Sequence, residues 1–366
     1  MSRRTLGAFL CAALLNACAN QAQVVPERQA PQAADTVCRQ TRSGQPTCLT
    51  LVLAAQVRPN VSGLTPADFQ ARYKLPSKSK GKGQIVAIVD AYDNPNVASD
   101  LAAYRKQFGL GAAKFTKFNE YGRMKNYPSG SPGWGVEIDV DTEMVSATCP
   151  KCTIYLIEAN SANGSDLETA EDTAVTLGAH IVSNSWICYG SLNCVNQSHF
   201  DTPGIIYLAA SGDQRYGQGG APMAFSSVAA IGGTVLTKSG SQYTEQVWSG
   251  GGGGCLTGVK RPRWQHDKFC AYRAANDASA VASNVAAYDT YGSFTGWLTV
   301  AGTSISAPLL AGVFGLAGNA QQQKGGRTFW EKAHHHFLYD VCSPSCLFER
   351  YSYSGGWGSP DGIGAF

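Results

Sequence analysis

The run Gln84-Ile-Val-Ala-Ile-Val-Asp90 constrains the fold more than any other stretch, because it is apolar without alternation. A strand with one wet face alternates polar and apolar residues, whereas an uninterrupted run is covered on both faces, as in a parallel sheet. Further runs follow at Thr153–Glu158, His180–Ser183, Gly204–Ala210, Ser227–Gly232 and Trp297–Val300, with a helix expected over Ser165–Leu177. Strands joined through helices need crossover connections. These are right-handed, so the expected class is α/β, with a mainly parallel central sheet and helices on both faces. Thr65-Pro66 reads as a helix N-cap followed by proline at the first helical position. Neither a repeat nor a composition break follows residue 65, so one domain over 63–366 is expected. The balance of 44% apolar and 15% charged residues excludes a disordered chain, and a net charge of +3 without a long basic run argues against a nucleic-acid partner. A monomer is the expectation.

Residues 1–18 combine Arg3 and Arg4 with an apolar run ending in Leu15-Asn-Ala-Cys18. This is the pattern of an export signal, and the run falls short of the ~20 apolar residues a transmembrane helix needs. Leu15–Cys18 also resembles the lipobox of bacterial lipoproteins. Cys18 is therefore either lipidated, which would attach the chain to a membrane, or close to a simple cleavage point. The product is expected to be secreted or held in the cell envelope. Residues 19–62 read as a tether, rich in Gln, Ala and Pro at its start, and a short disulfide-containing segment. Setting Cys11 and Cys18 aside leaves ten of the twelve cysteines, and these fall into close pairs: Cys38/Cys48, Cys149/Cys152, Cys188/Cys194, Cys255/Cys270 and Cys342/Cys346. In an exported chain such pairs read as local disulfides. Cys149-Pro-Lys-Cys152 also has zinc-knuckle spacing, but no second pair follows at a matching distance.

Chemistry is suggested first by Ala301-Gly-Thr-Ser304-Ile-Ser-Ala-Pro308, which runs from a strand into an apolar helix. A serine at a helix start has free backbone N–H groups and the positive end of the dipole beside it, which suit a developing oxyanion. The plainer role is an N-cap, and a nucleophile needs a base. The six histidines, His180, His199, His266, His334, His335 and His336, occupy no position suited to one. Carboxylates do better. In Gly133-Trp-Gly-Val-Glu137-Ile-Asp-Val-Asp141-Thr-Glu143, Glu137 and Asp141 share one helical face, and Asp139 and Glu143 form a second such pair. Val136, Val140, Met144 and Val145 give the stretch an apolar side, which sets it apart from a solvated face.

Glu137-x-x-x-Asp141, Ser211-Gly-Asp213 and Gly302-Thr-Ser304-x-Ser306-x-Pro308 follow the order and approximate spacing of the sedolisins, the serine-carboxyl peptidases, and the chain resembles that family from about Gly63 to Phe366. The resemblance implies a subtilisin-like three-layer fold and an endopeptidase acting on protein or peptide substrates, best in acid. Ser304 would be the nucleophile, Glu137 its general base, Asp141 the acid that orients Glu137, and Asp213 the oxyanion donor. Ser185 and Trp186 would lie on the strand that pairs with substrate. Asp139, Glu143 and Asp90 are expected to be structural. No cofactor is needed for the chemistry. The family's calcium site would use Asp340 and Val341, but Ser352 or Gly358 stands where its second aspartate is expected. Two further departures are the short stretch before the domain in place of a large prodomain, and Ile187 where a glycine usually follows the tryptophan. A catalytically silent binding protein on the same fold is the alternative from another class, and a Ser-His-Asp hydrolase the alternative enzyme.

Overall fold

The computed structural model describes residues 34–38, 44–53, 61–342 and 345–366, and Ala33–Phe366 forms one compact unit. The expected export signal, with Cys11 and Cys18, lies outside the described residues. Three short strands come first: β1 (Ala34–Thr36), β2 (Thr47–Cys48) and β3 (Leu51–Leu53). Helix α1 (Pro66–Arg72) starts at Thr65 in a capping box with Asp68, as the Thr-Pro signal predicts. Then β4 (Ile85–Ala91), α2 (Val97–Gln107), β5 (Lys114–Asn119), α3 (Pro132–Thr148), β6 (Thr153–Ala159), α4 (Gly164–Thr176), β7 (Ile181–Asn184) and β8 (Trp186–Tyr189) alternate along the chain.

The second half adds β9 (Ile206–Ala210), β10 (Gly220–Ala221), β11 (Val228–Ser239) and β12 (Gln242–Val247). After β13 (Gly254–Lys260), β14 (Tyr272–Ala275), β15 (Ala278–Val281), β16 (Ser283–Asp289) and β17 (Gly296–Ala301) comes α5 (Thr303–Ala317). The central sheet runs β12-β11-β9-β7-β4-β6-β5 with β15 beside β11, and every pairing in it is parallel except β11 with β12. Val86, Ala87, Ile88 and Val89 are completely buried, as the apolar run demands. Among the described residues no helix is long and apolar enough to cross a membrane.

Two expectations need correction. Trp297–Val300 does not continue the parallel series: β17 belongs to a separate antiparallel sheet of order β1-β3-β17-β16. An apolar run reports burial and says nothing of partner or direction. The domain also starts earlier than Gly63. The stretch read as tether and short disulfide-containing segment supplies β1 and β3; β1 pairs with β3 and β3 with β17, and so it is built into the compact unit.

The five close cysteine pairs are all disulfides: Cys38–Cys48, Cys149–Cys152, Cys188–Cys194, Cys255–Cys270 and Cys342–Cys346. The Cys149 and Cys152 sulfurs are therefore not thiolates available to zinc. Cys188–Cys194 closes the loop that leaves β8 and sets the Cys194 carbonyl against the start of α4, where a Cβ on Gly164 would lie 1.7 Å from its oxygen. Cys255–Cys270 ties β13 to the segment before β14, and the Cys270 carbonyl there accepts from Arg261 at 3.1 Å. Neither of these two bridges supplies a group to the serine end of the molecule, which is organised by the packing of α3 on α5. Gly312 permits the close approach, since a Cβ there would lie 2.8 Å from Thr148 Cβ. Pro308 sits inside α5 and has no N–H for the carbonyl of Ser304 four residues earlier. That carbonyl accepts the Ser185 hydroxyl instead, at 3.3 Å.

Candidate functional site

Ser304 occupies the second position of α5, directly after β17 and the turn at Gly302, whose φ is +141°. The loop after β9 brings Asp213 to the same helix start. Its Oδ1 accepts the Thr303 N–H and the Thr303 hydroxyl, both at 2.8 Å, while Oδ2 is buried without a hydrogen-bond partner. Burial raises the Asp213 carboxyl, the Thr303 donors hold it back in part, and it settles at about 7. A Cβ placed on Gly302 would lie 2.5 Å from the Leu49 carbonyl oxygen, 2.8 Å from Ser304 Oγ and 2.9 Å from Asp213 Oδ2. Three oxygen atoms thus crowd one small space that only glycine leaves open.

From α3 the Glu137 and Asp141 side chains reach this end of the sheet, and β4 delivers Asp90 from its C-terminal end. All three carboxyls are completely buried. Glu137 is pushed up to about 8 by burial, against the N–H groups of Thr50 and Leu49 and the hydroxyls of Ser304 and Thr50, which favour its charged form. Burial followed by the Glu137 charge raises Asp90, and burial followed by the charges of Asp90 and Glu137 raises Asp141, with the Ser185 hydroxyl a small opposing influence. Like charges this close cannot all ionise, so the group shares protons. Asp90, expected to be structural, is therefore part of this carboxyl group; its signal was its place at the carboxyl end of a parallel strand, where α/β sites gather. Asp139 and Glu143 point elsewhere, toward Asn94, Asp289 and Tyr288.

The structure places Ser185 at this centre but turns the Trp186 side chain away. The indole is completely buried against Phe200 and donates to the Val89 carbonyl at 3.1 Å, so only its backbone is available for pairing. Both halves of β8 are already paired: Trp186 and Ile187 with Cys48 and Thr47 of β2, Cys188 and Tyr189 with β10. Residues 47–50 thus lie across the site. Leu49 and Thr50 donate their N–H groups to Glu137 Oε2 at 2.8 and 2.6 Å, and the Thr50 and Ser304 hydroxyls are 3.1 Å apart. Nothing in the sequence of Thr47-Cys-Leu-Thr50 signals this, because it depends on long-range pairing. Ser304 is left with no exposed surface. The histidine reading finds no support in the contacts: His180 meets Gly204 and Gln321, and His199 meets Asp172.

The residues at the expected calcium position do not fit that ion. Asp340 offers the one carboxylate of the motif, and its Oδ1 accepts the Cys342 N–H. The carbonyls of Val341, Ser352, Gly355 and Gly358 accept from Val247, Gly356, Ser279 Oγ and Ser279 N–H. Calcium takes six to eight oxygens, with carboxylates prominent among them. Here the Cys342–Cys346 disulfide and the tilted and edge-on contacts among Trp330, Tyr351 and Trp357 organise the loop.

A parallel sheet ending in a serine-bearing helix start and a buried carboxyl group defines a subtilisin-like fold. Pseudomonas sedolisin, a serine-carboxyl proteinase solved with two molecules of pseudo-iodotyrostatin, aligns with a TM-score of 0.69 at 20% identity over 82% of this chain and 96% of its own. The S41 psychrophilic protease aligns with a TM-score of 0.56 at 16% identity over 80% and 96%. Sphericase aligns with a TM-score of 0.55 at 14% identity over the same shares, 80% and 96%. No family model and no curated protein matches the chain. The likeness is one of fold.

Proposed function

We propose that this chain is an exported serine-carboxyl endopeptidase of the sedolisin type, with Ser304 as nucleophile. The observation that carries the reading is the convergence of Ser304 Oγ and Asp213 Oδ2 beside Gly302, with Glu137 within reach of the same hydroxyl. Glu137, once ionised, takes the Ser304 proton as Oγ attacks a peptide carbonyl and then passes it to the leaving nitrogen. Asp141 and Asp90 hold protons behind it. Asp213, protonated below about 7, donates to the oxyanion. A second Glu137-assisted step lets water release the acyl group from Ser304. Five disulfides support an oxidising, extracytoplasmic setting. Substrates would be proteins or peptides, and no metal enters the chemistry.

Casein cleavage between pH 3 and 8 tests the reading. Ser304→Ala and Glu137→Gln are each expected to lower turnover by at least ~1000-fold. No cleavage by the parent chain at any pH supports the silent binding protein, and full activity of the Glu137 variant removes the carboxylate mechanism.

A further inference from the structure

We infer that the groove beyond the far end of β8 binds an acidic stretch of the substrate, upstream of the bond that is cut. The inference rests on the peptidase reading above and deepens it by naming the class of substrate. The groove has a volume of about 800 Å³ and lies between the loop that leaves β8 and the far end of the β13–β14 hairpin. Its hairpin wall carries Lys260, Arg261 and Arg263, all exposed, and the facing wall offers Asn193, Gln197 and Ser226. Among the described residues no carboxylate forms an ion pair with any of the three cations. Glu168, the one carboxylate in the lining, is turned to its own partners: it accepts the Asn196 N–H and lies 3.8 Å from His199 Nε2. Arg261 Nη1 donates to the carbonyls of Asp267 and Cys270 at 2.8 and 3.1 Å, which fixes the guanidinium without neutralising it. The whole chain carries a net charge of only +3, so these three cations gather an excess as large as that of the entire molecule on one wall of a concave surface.

Each wall is stapled. Cys188–Cys194 closes the loop that holds Asn193, and Cys255–Cys270 closes the one that holds the three cations. Walls set in advance lower the ordering cost of binding, which gives a use to two bridges that stand apart from the serine. Strand direction links the groove to Ser304. Thr47 and Cys48 run antiparallel to Ile187 and Trp186, and a peptide that takes this path and presents a carbonyl to Ser304 sends its upstream residues along β8 toward Tyr189 and the loop after it. Gly44 serves as a ruler. A Cβ on it would lie 3.2 Å from Ser191 Cβ, while the Leu49 carbonyl shares the space beside Gly302 with Ser304 Oγ. Ser191 directly precedes the groove residues Leu192 and Asn193, so an extended peptide at ~3.3 Å per residue enters the groove about six residues before its scissile bond. Carboxylates at that distance meet the unneutralised cations, and lysines there are repelled.

The test uses the full-length chain and two peptides that share one cleavable sequence, taken from a casein cut, with a run of glutamates or a run of serines placed about six residues upstream. Near pH 7 the glutamates are ionised. Expected is a kcat/KM about tenfold higher for the glutamate leader at ~50 mM salt, shrinking to about twofold at ~500 mM. Lys260→Glu combined with Arg263→Glu should abolish the preference and leave kcat/KM for the serine leader unchanged; Arg261 stays, because it holds the hairpin. The glutamate leader alone, carrying a fluorophore, should bind Ser304→Ala by anisotropy and fail to bind the same chain with the two reversals. Equal cleavage of both peptides, or a preference that salt and the double variant leave intact, overturns this inference and leaves the peptidase reading standing. Binding of dextran sulfate by Ser304→Ala without binding of the glutamate leader overturns it as well and assigns the groove to an anionic polymer. Absence of all cleavage, of casein and of both peptides, removes the peptidase reading, and the substrate role of the groove falls with it.

Discussion

Asp213 shows how a single carboxyl can be set to donate. Its Oδ1 is saturated by Thr303, its Tyr189-anchored backbone fixes the turn, and Oδ2 faces the Ser304 hydroxyl across the space beside Gly302. A carboxyl can donate to an oxyanion only while protonated, and burial keeps Asp213 protonated up to about 7. With Glu137 raised to about 8 as the base and Asp213 to about 7 as the donor, activity is expected to peak between the two and to fall on the alkaline side, where the Asp213 proton is lost. Asp213→Asn keeps a donor with no proton to lose. It should be slower than the parent yet show no alkaline fall, whereas Asp213→Ala should lose ~100–1000-fold in kcat across the whole range. A parent and Asn variant with identical alkaline limbs would show that Asp213 does not set the limb.

At the scale of elements, α3 carries two carboxyl sets of opposite use. Glu137 and Asp141 face the serine, while Asp139 and Glu143 face Asp289, Asp100 and the backbone of Tyr288. Burial first, then Glu143 and Asp289, raises Asp139, so it stays protonated and donates to the Asp289 carboxylate. Asp139→Asn supplies a donor of the same shape without the ionisation. A rise in Tm of a few degrees is expected at pH 8, where the parent Asp139 is under pressure to ionise, and almost none at pH 4; thermal unfolding at the two pH values checks this. The spacing of these acids and the buried strands beside them could be read from the sequence, since helical and strand periods are local. The short-range cysteine pairs, such as Cys188 with Cys194 and Cys255 with Cys270, were legible for the same reason. β3, the sheet to which β17 belongs and the placement of Thr47–Thr50 were not. The two or three residues of β2 and β3 carry no period, and the partners of β3 and β17 lie far along the chain, so Trp297–Val300 reads as one more parallel strand and residues 47–50 as part of a short disulfide-containing segment. Asp90 failed to declare itself because its neighbours Glu137 and Asp141 likewise come from another element.

Across the whole molecule, buried acids set the direction of its pH response. Asp90, Glu137, Asp139, Asp141, Glu143, Glu158, Glu171, Asp213 and Asp289 are all raised, in each case first by burial. Glu158 reaches about 9 even with Lys117 beside it, and Asp289 about 6. Between its ordinary value near 4 and its folded value, each group is protonated in the folded chain and ionised in the unfolded one. The folded state then binds more protons, so stability is greatest below pH ~4 and declines as pH climbs through the folded values. Asp68 opposes this. Lys238, Thr65 and Tyr243 outweigh its burial and lower it, so its contribution is lost in acid, but it is one group with a half-exposed partner. Each of the raised carboxyls moves stability in this same direction. The Tm of Ser304→Ala, used to prevent self-digestion, should fall by more than ~10 °C between pH 4 and pH 8. A chain most stable near neutrality would mean that these carboxyls ionise freely in the folded state, which would also remove the proton that Asp213 needs for its work.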